Sequence, residues 1–333
     1  MNNKRKINLS RSGRQNIVLF ILLIALMVFF TIANSRFLSL YNLMNIVRQN
    51  VPNFIIACPM MLVIASGAID LSVGGMMGLS AVCYGYLCIW GVNPWLSILL
   101  VALLGVVLGA VNTITMEKLQ IPAIMATMAT WLFTSGLALT LCKAIPIDDD
   151  PVKVVAILNR IKLGDIPLAF FIVLVVVLIF LFLEKKTILG KYAIAIGGNA
   201  NAAHFSGINV VKMHFIFFAL SGVMAALGGI WQVARMGSAD PKIGTNMEFS
   251  VIASCILGGV NIKGGEGSIL GVTIGTAIMA VLVNGMQMMD IQSFYQNVVT
   301  GVVLLAAVLI NHLSSSGKLK RLRPSKTRAV AAE

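Results

Sequence analysis

Gly198-Asn199-Ala200-Asn201-Ala202-Ala203-His204-Phe205-Ser206-Gly207-Ile208 lies inside a polar segment, Glu184 to Met213, that separates two long apolar blocks. That contrast decides the fold class. Apolar runs of about twenty residues are membrane spans, and a polar stretch joining two of them is a loop on one face of the bilayer. Four lysines flank the loop: Lys185, Lys186, Lys191 and Lys212. Asn199 through Phe205 is expected to form a short helix that Ser206-Gly207 ends, the glycine taking the left-handed C-terminal turn. Such a helix, lying along the membrane surface, can press into a cleft on a soluble partner. The alternative is a solvated loop with one helical turn, against which stand its length, alanine content and lysines.

The rest of the chain supports the membrane reading. It has 333 residues, 58% hydrophobic and 11% charged, with mean hydropathy +0.93. Soluble domains carry about 45–50% apolar and about 25% charged residues. The apolar runs are continuous rather than alternating, which excludes a transmembrane barrel. The first run, 17–32, is too long for a secretory signal and lacks a small-residue cleavage site, so it is expected to stay as an uncleaved helix. Cys58, Cys83, Cys88, Cys142 and Cys255 are scattered through apolar segments, as buried thiols are. His204, His214 and His312 have no ligand spacing. No metal and no cofactor is expected.

The expectation is an all-α, polytopic membrane helical bundle of about ten transmembrane helices: 17–34, 45–66, 71–90, 94–115, 122–142, 166–184, 213–234, 247–260, 268–288 and 293–312. Pro52 and Pro59 are expected to interrupt the second, and Gly258-Gly259 to truncate the eighth. Such breaks need surrounding protein to satisfy the freed backbone, so both belong inside the bundle. With the N-terminus and C-terminus cytoplasmic, seventeen of the 25 Lys and Arg residues fall in inner segments, while Asp148, Asp149, Asp150, Asp165, Asp240, Glu248 and Asp290 fall outside. That distribution follows the positive-inside rule. Residues 1–16 are expected to form a basic cytoplasmic segment, 17–312 the transmembrane domain with its cytoplasmic loop 185–212, and 313–333 a basic cytoplasmic tail expected to be disordered. The net charge of +13 flanks spans without aromatic interleaving. It therefore speaks for topology and contact with membrane lipid, not nucleic acid.

Two glycine-rich breaks stand out, Gly67-Ala68-Ile69-Asp70-Leu71-Ser72-Val73-Gly74-Gly75 and Gly258-Gly259-Val260-Asn261-Ile262-Lys263-Gly264-Gly265-Glu266-Gly267. Set side by side they pair Gly67 with Gly258 and Gly74 with Gly265, suggesting an internal duplication. Asp70 is the only carboxylate in about fifty otherwise uncharged residues. Asp70 and Ser72 either cap the third helix or act in a pathway or gate. Thr127, Thr130, Asn261, Asn284 and Gln296 join them as translocation-pathway or gating candidates, alongside Asn112, Thr113, Thr115, Gln287, Asn297 and Thr300. Polar residues in spans also bond neighbouring helices. Their low charge suits a neutral sugar or polyol. No nucleophile–base grouping is present, so no catalytic residue and no enzyme is expected.

Asp70-Leu71-Ser72-Val73-Gly74, Ile121-Pro122-Ala123-Ile124-Met125-Ala126-Thr127, Gly198 to Ile208, and Leu257 to Gly267 followed by Asn284-Gly285 occur in this order. Together they resemble the permeases of ribose-type ABC importers over residues 40–312, although the family's early motif usually begins Gly-Gly where this chain has Gly67-Ala68. The resemblance implies a subunit of the bacterial plasma (inner) membrane that imports a monosaccharide such as ribose. Two permease copies, as homodimer or heterodimer, would form the pore. Cytoplasmic ABC ATPase subunits would drive it, and an extracytoplasmic sugar-binding protein would deliver the solute. It also implies ATPase coupling by Gly198, Asn199, Ala202, Ala203, Ser206 and Gly207. The chain has no Gly-x-x-x-x-Gly-Lys-[Ser/Thr] loop, so ATP chemistry must come from another chain. The alternatives are a self-contained ion-coupled secondary transporter and a permease for a sugar-like autoinducer.

Overall fold

The computed structural model describes residues 11–315. The expectations for residues 1–10 and for the tail beyond 315 lie outside the described residues. In chain order the first half comprises α1 (Arg11–Ala33), α2 (Leu40–Ala65), α3 (Val73–Ile89), α4 (Pro94–Glu117) and α5 (Ala123–Leu141). A compact connection follows: α6 (Asp150–Lys153), a 3-10 turn, α7 (Ile157–Arg160) and the antiparallel pair β1 (Lys162–Leu163) and β2 (Ile166–Pro167). The second half is α8 (Leu168–Lys186), α9 (Ile188–Gly198), α10 (Ala200–Phe205), α11 (Val210–Met236), α12 (Met247–Leu257), α13 (Ile269–Met288) and α14 (Ser293–Ser315). Among the described residues seven helices, α1, α2, α4, α5, α8, α11 and α13, are long and apolar enough to cross a membrane. The molecule is an all-α polytopic bundle, and each of the ten expected segments coincides with a helix, with bounds that differ by up to six residues.

α2 is the central element, buried almost continuously from Asn50 to Ala65. The expected interruption at its prolines does not occur: Pro52 and Pro59 both lie within one unbroken helix. A proline has no N–H, so the carbonyl four residues before Pro52 loses its helical partner. That carbonyl belongs to Arg48, and the Trp231 indole N–H of α11 donates to it at 2.9 Å. α11 in turn lies close along α4, where a methyl group on Gly105 or Gly109 would strike the backbone at Gly222 or Phe218. Small residues let membrane helices approach this way.

α12 is truncated, as expected, but at both ends. Eleven residues rise about 16 Å, roughly half a hydrocarbon core. The chain reaches its start by an irregular segment, mostly consecutive turns, that runs down α3. Ala239 packs on Gly85, Pro241 and Ile243 carbonyls face Gly78, and Gly244 lies against Gly74. Irregular backbone is tolerated at such depth only when protein encloses it. One consequence corrects the sequence reading: Glu248, expected in an outer loop, is buried in the first turn of α12.

The polar segment 185–212 is likewise not a plain loop, since α9 fills Ile188–Gly198 and packs Gly190, Ala193 and Ile196 inward. The proposed duplication also shifts by one residue. Gly67 (φ +88°) and Gly259 (φ +89°) adopt the same left-handed turn after α2 and α12. Their hydrogen bonds match as well, Gly67 to Ile64 and Ala68 to Val63 against Gly259 to Ile256 and Val260 to Cys255. The structural partner of Gly67 is therefore Gly259, not Gly258.

Candidate functional site

The turns after α2, after α4 and around α9–α10 meet at one end of the bundle, where Ser66, Gly67, Ala68, Pro122, Ile196 and Ala200 border a cavity of about 360 Å³. The loop between α12 and α13 joins them, Gly265 N–H donating to the Ala65 carbonyl at 2.9 Å. At the opposite end Asn34 donates to the Met288 carbonyl at 3.0 Å, and Ile147 pairs with Ala239.

Just inside the first end sits a buried polar cluster. Asp70 is fully buried. One carboxylate oxygen accepts from the Ser72 N–H at 2.9 Å and from the Ser72 hydroxyl, and the other accepts from the Ser221 hydroxyl of α11 at 2.7 Å. The Asn112 amide of α4 donates to the Ser72 oxygen at 2.9 Å. Thr127 of α5 donates to the Ile69 carbonyl at 3.2 Å. This cluster ties the α2–α3 turn to three helices. Ser72 caps no helical N–H, and Asp70 accepts from the Ser72 N–H just before α3, so the structure shows no side-chain cap on that helix from either residue.

The other pathway candidates are dispersed. Thr130 bonds within α5, to the Ala126 carbonyl. Asn261 folds its own loop, accepting from the Lys263 N–H at 3.0 Å. Asn284 and Asn42 exchange two amide bonds of 2.9 and 3.1 Å, clamping α13 to α2. Gln296 donates to the Ile291 carbonyl, bracing the turn before α14. Sequence reasoning missed Ser221, whose partner lies 151 residues away. It also placed Glu248 outside. Glu248 now lies against Gly74, and among the described residues neither of its oxygens has a hydrogen-bond partner in another residue.

α10 follows the expected design closely. The Asn199 side chain accepts from the Ala202 N–H at 2.9 Å, capping the helix. Ser206 ends it, its hydroxyl donating to the Ala202 carbonyl at 2.8 Å, and Gly207 turns left-handed at φ +86°. Ala203 alone faces inward. Ala202, His204 and Ser206 are exposed, and Phe205 is 89% exposed with the His204 ring 6.0 Å away. A methyl group on Gly198 would point into open space. The helix thus offers an aromatic knob on a backbone anchored at both ends.

The sequence matches the family described as branched-chain amino acid transport system / permease component over residues 42–308. It is 36% identical over 305 residues to the probable ABC transporter permease protein YphD of Escherichia coli (strain K12), covering 91% of this chain and 92% of that protein. The ribose import permease protein RbsC of the same strain is 34% identical over 296 residues, covering 87% and 92%. The D-allose transport system permease protein AlsC, also of that strain, is 33% identical over 297 residues, covering 89% and 91%. No solved structure matches the chain.

Proposed function

Because this chain belongs to the permease-component family of ABC transport systems, we propose that it is the membrane pathway of a bacterial importer for a monosaccharide of the ribose type. It would be a multi-pass protein of the inner membrane, crossing ten times with both termini cytoplasmic. The basic segments 1–16 and 313–333 would flank a permease domain, 17–312. The transport subunit itself carries out no chemistry on ATP. A separate pair of ABC ATPase subunits supplies the energy, an extracytoplasmic binding protein delivers the sugar, and a second permease copy completes the pore.

The observation that carries this reading is α10. An exposed, capped helix bearing Phe205 suits insertion into a cleft on a soluble partner. It lies at the bundle end where Lys118, Lys185, Lys186, Lys191, Lys212 and Lys263 also fall. Gly198, Asn199, Ala202, Ala203, Ser206 and Gly207 serve as its frame, shaping and presenting the knob. Asp70, Ser72 and Thr127 form the best-supported part of a gate, since they join the α2–α3 turn to α4, α5 and α11. Glu248, a carboxylate inside the bundle, is a further pathway candidate. Asn284 and Gln296 have a packing role on the bonds they make. Ion-driven transport by Asp70 has less support, because both of its oxygens are engaged.

The test is substitution at α10. Gly207→Val strains a left-handed residue, and Phe205→Ala removes the knob. Each is expected to leave membrane insertion intact while uptake and stimulated ATP hydrolysis fall together. A cysteine replacing Phe205 is expected to cross-link to the ATPase. Normal uptake by both variants, or failure of the cross-link in an active complex, would refute the docking role.

A further inference from the structure

Three separate stretches of backbone meet around Gly197, and side chains play almost no part in the contact. A methyl group on Gly197 would run into the Ala65 carbonyl oxygen at the end of α2. It would also lie 2.5 Å from the Gly265 nitrogen and 2.9 Å from the Gly264 Cα. A methyl on Gly264 would lie 2.8 Å from the Gly197 Cα and 3.0 Å from the Gly67 Cα. The hydrogen bond from Gly265 to Ala65 crosses the same point. Gly67, Gly264 and Gly265 all have positive φ. Gly197 does not: it is an ordinary helical residue near the end of α9, so contact alone requires glycine there.

We propose that Gly197 is the positioning residue of a backbone interlock that carries displacement of α10 into α2, α12 and α13. The inference rests on α10 being the docking helix. α10 follows Gly197 by three residues, and through the short turn at Gly207 it continues only into α11. Without the interlock a push on α10 enters the bundle along α11 and through the looser side-chain packing of α9. With it, the same push reaches the carbonyl end of α2, the central helix, and the loop joining α12 to α13. Backbone cannot rotate out of the way as a side chain can, so this contact either moves as a unit or breaks. Close-packed interfaces of this kind are bistable rather than compliant, which suits transmission.

Gly136 supplies an internal control, since it is helical within α5 and a methyl group there would meet nothing within 4 Å. In the full transporter with its ATPase and binding protein, Gly197→Ala is expected to keep the ATPase bound and hydrolysing. Sugar delivered per ATP should fall about tenfold or more, the scale at which one added methyl biases a two-state balance. Gly136→Ala should behave as the unaltered protein. Full coupling in Gly197→Ala would overturn the interlock. If that variant does not assemble, spin labels on cysteines replacing Gly198 and Lys263 decide the matter. An unchanged distance between nucleotide-free and ATP-trapped states supports rigid transmission, and a distance that changes overturns it. These outcomes are separable from the docking role, which is judged by Phe205→Cys cross-linking and Gly207→Val.

Discussion

Asp70 shows how a single side chain can hold a turn inside a membrane protein. Its carboxylate, fully buried, accepts from two donors of Ser72 and one of Ser221. A buried polar group is tolerated when its bonds are made and is costly when they are lost. Asp70→Ala removes all three bonds and should destabilise the detergent-solubilised protein by about 2–4 kcal/mol. Asp70→Asn keeps the shape, and its amide can donate to the Ser221 oxygen, so about 1 kcal/mol is expected. Thermal unfolding followed by tryptophan fluorescence checks the ordering. Equal losses would mean that volume rather than bonding holds the turn. At this scale the sequence exposed Asp70 and Asn112, because lone polar residues in apolar runs are visible. It hid Ser221, since one serine among many acquires meaning only when folding brings it to a partner 151 residues away. Glu248 was hidden for a related reason: a carboxylate beside polar residues reads as loop, and only its burial against Gly74 reveals otherwise.

Among the elements, α2 and α12 depart most from ordinary spans. Pro52 leaves the Arg48 carbonyl free, and Trp231 occupies it. Trp231→Phe should therefore destabilise by about 1 kcal/mol beyond the volume it removes. In a Pro52→Ala background the new N–H can take the Arg48 carbonyl, and the same change should cost less. A double-mutant cycle on thermal unfolding measures the difference, and strict additivity would show that the indole bond is not the compensation. The helices themselves were legible because twenty-residue apolar runs have few readings. Three features were not. α9 hides in a segment whose lysines suggested open loop, although Gly190, Ala193 and Ile196 already recur at helical spacing. The short α6, α7 and the β1–β2 pair follow too few residues to show a period. The descent of 239–246 along α3 depends on Gly74, Gly78 and Gly85 lining one face, a pattern that is informative only once α3 has a partner to receive.

For the molecule as a whole, two ends of different character emerge. One carries the glycine turns, α9, α10 and the lysines Lys118, Lys185, Lys186, Lys191, Lys212 and Lys263. The other carries the α6–α7 connection with Asp148, Asp149 and Asp150. The family was readable from the residues, and the match over 42–308 together with the ribose permease relative bears that out. The mechanical account goes further. It treats the bundle as a conduit that changes shape only when a partner grips α10, because a ligand shifts an equilibrium solely by binding its states differently. Proteoliposomes holding the permease, with a sugar-binding protein outside and ribose as the labelled solute, measure this directly. The account predicts accumulation when the ATPase and ATP are inside, none when either is missing, and none when an ion gradient replaces them. Concentrative uptake by the permease alone under a proton or sodium gradient would contradict it.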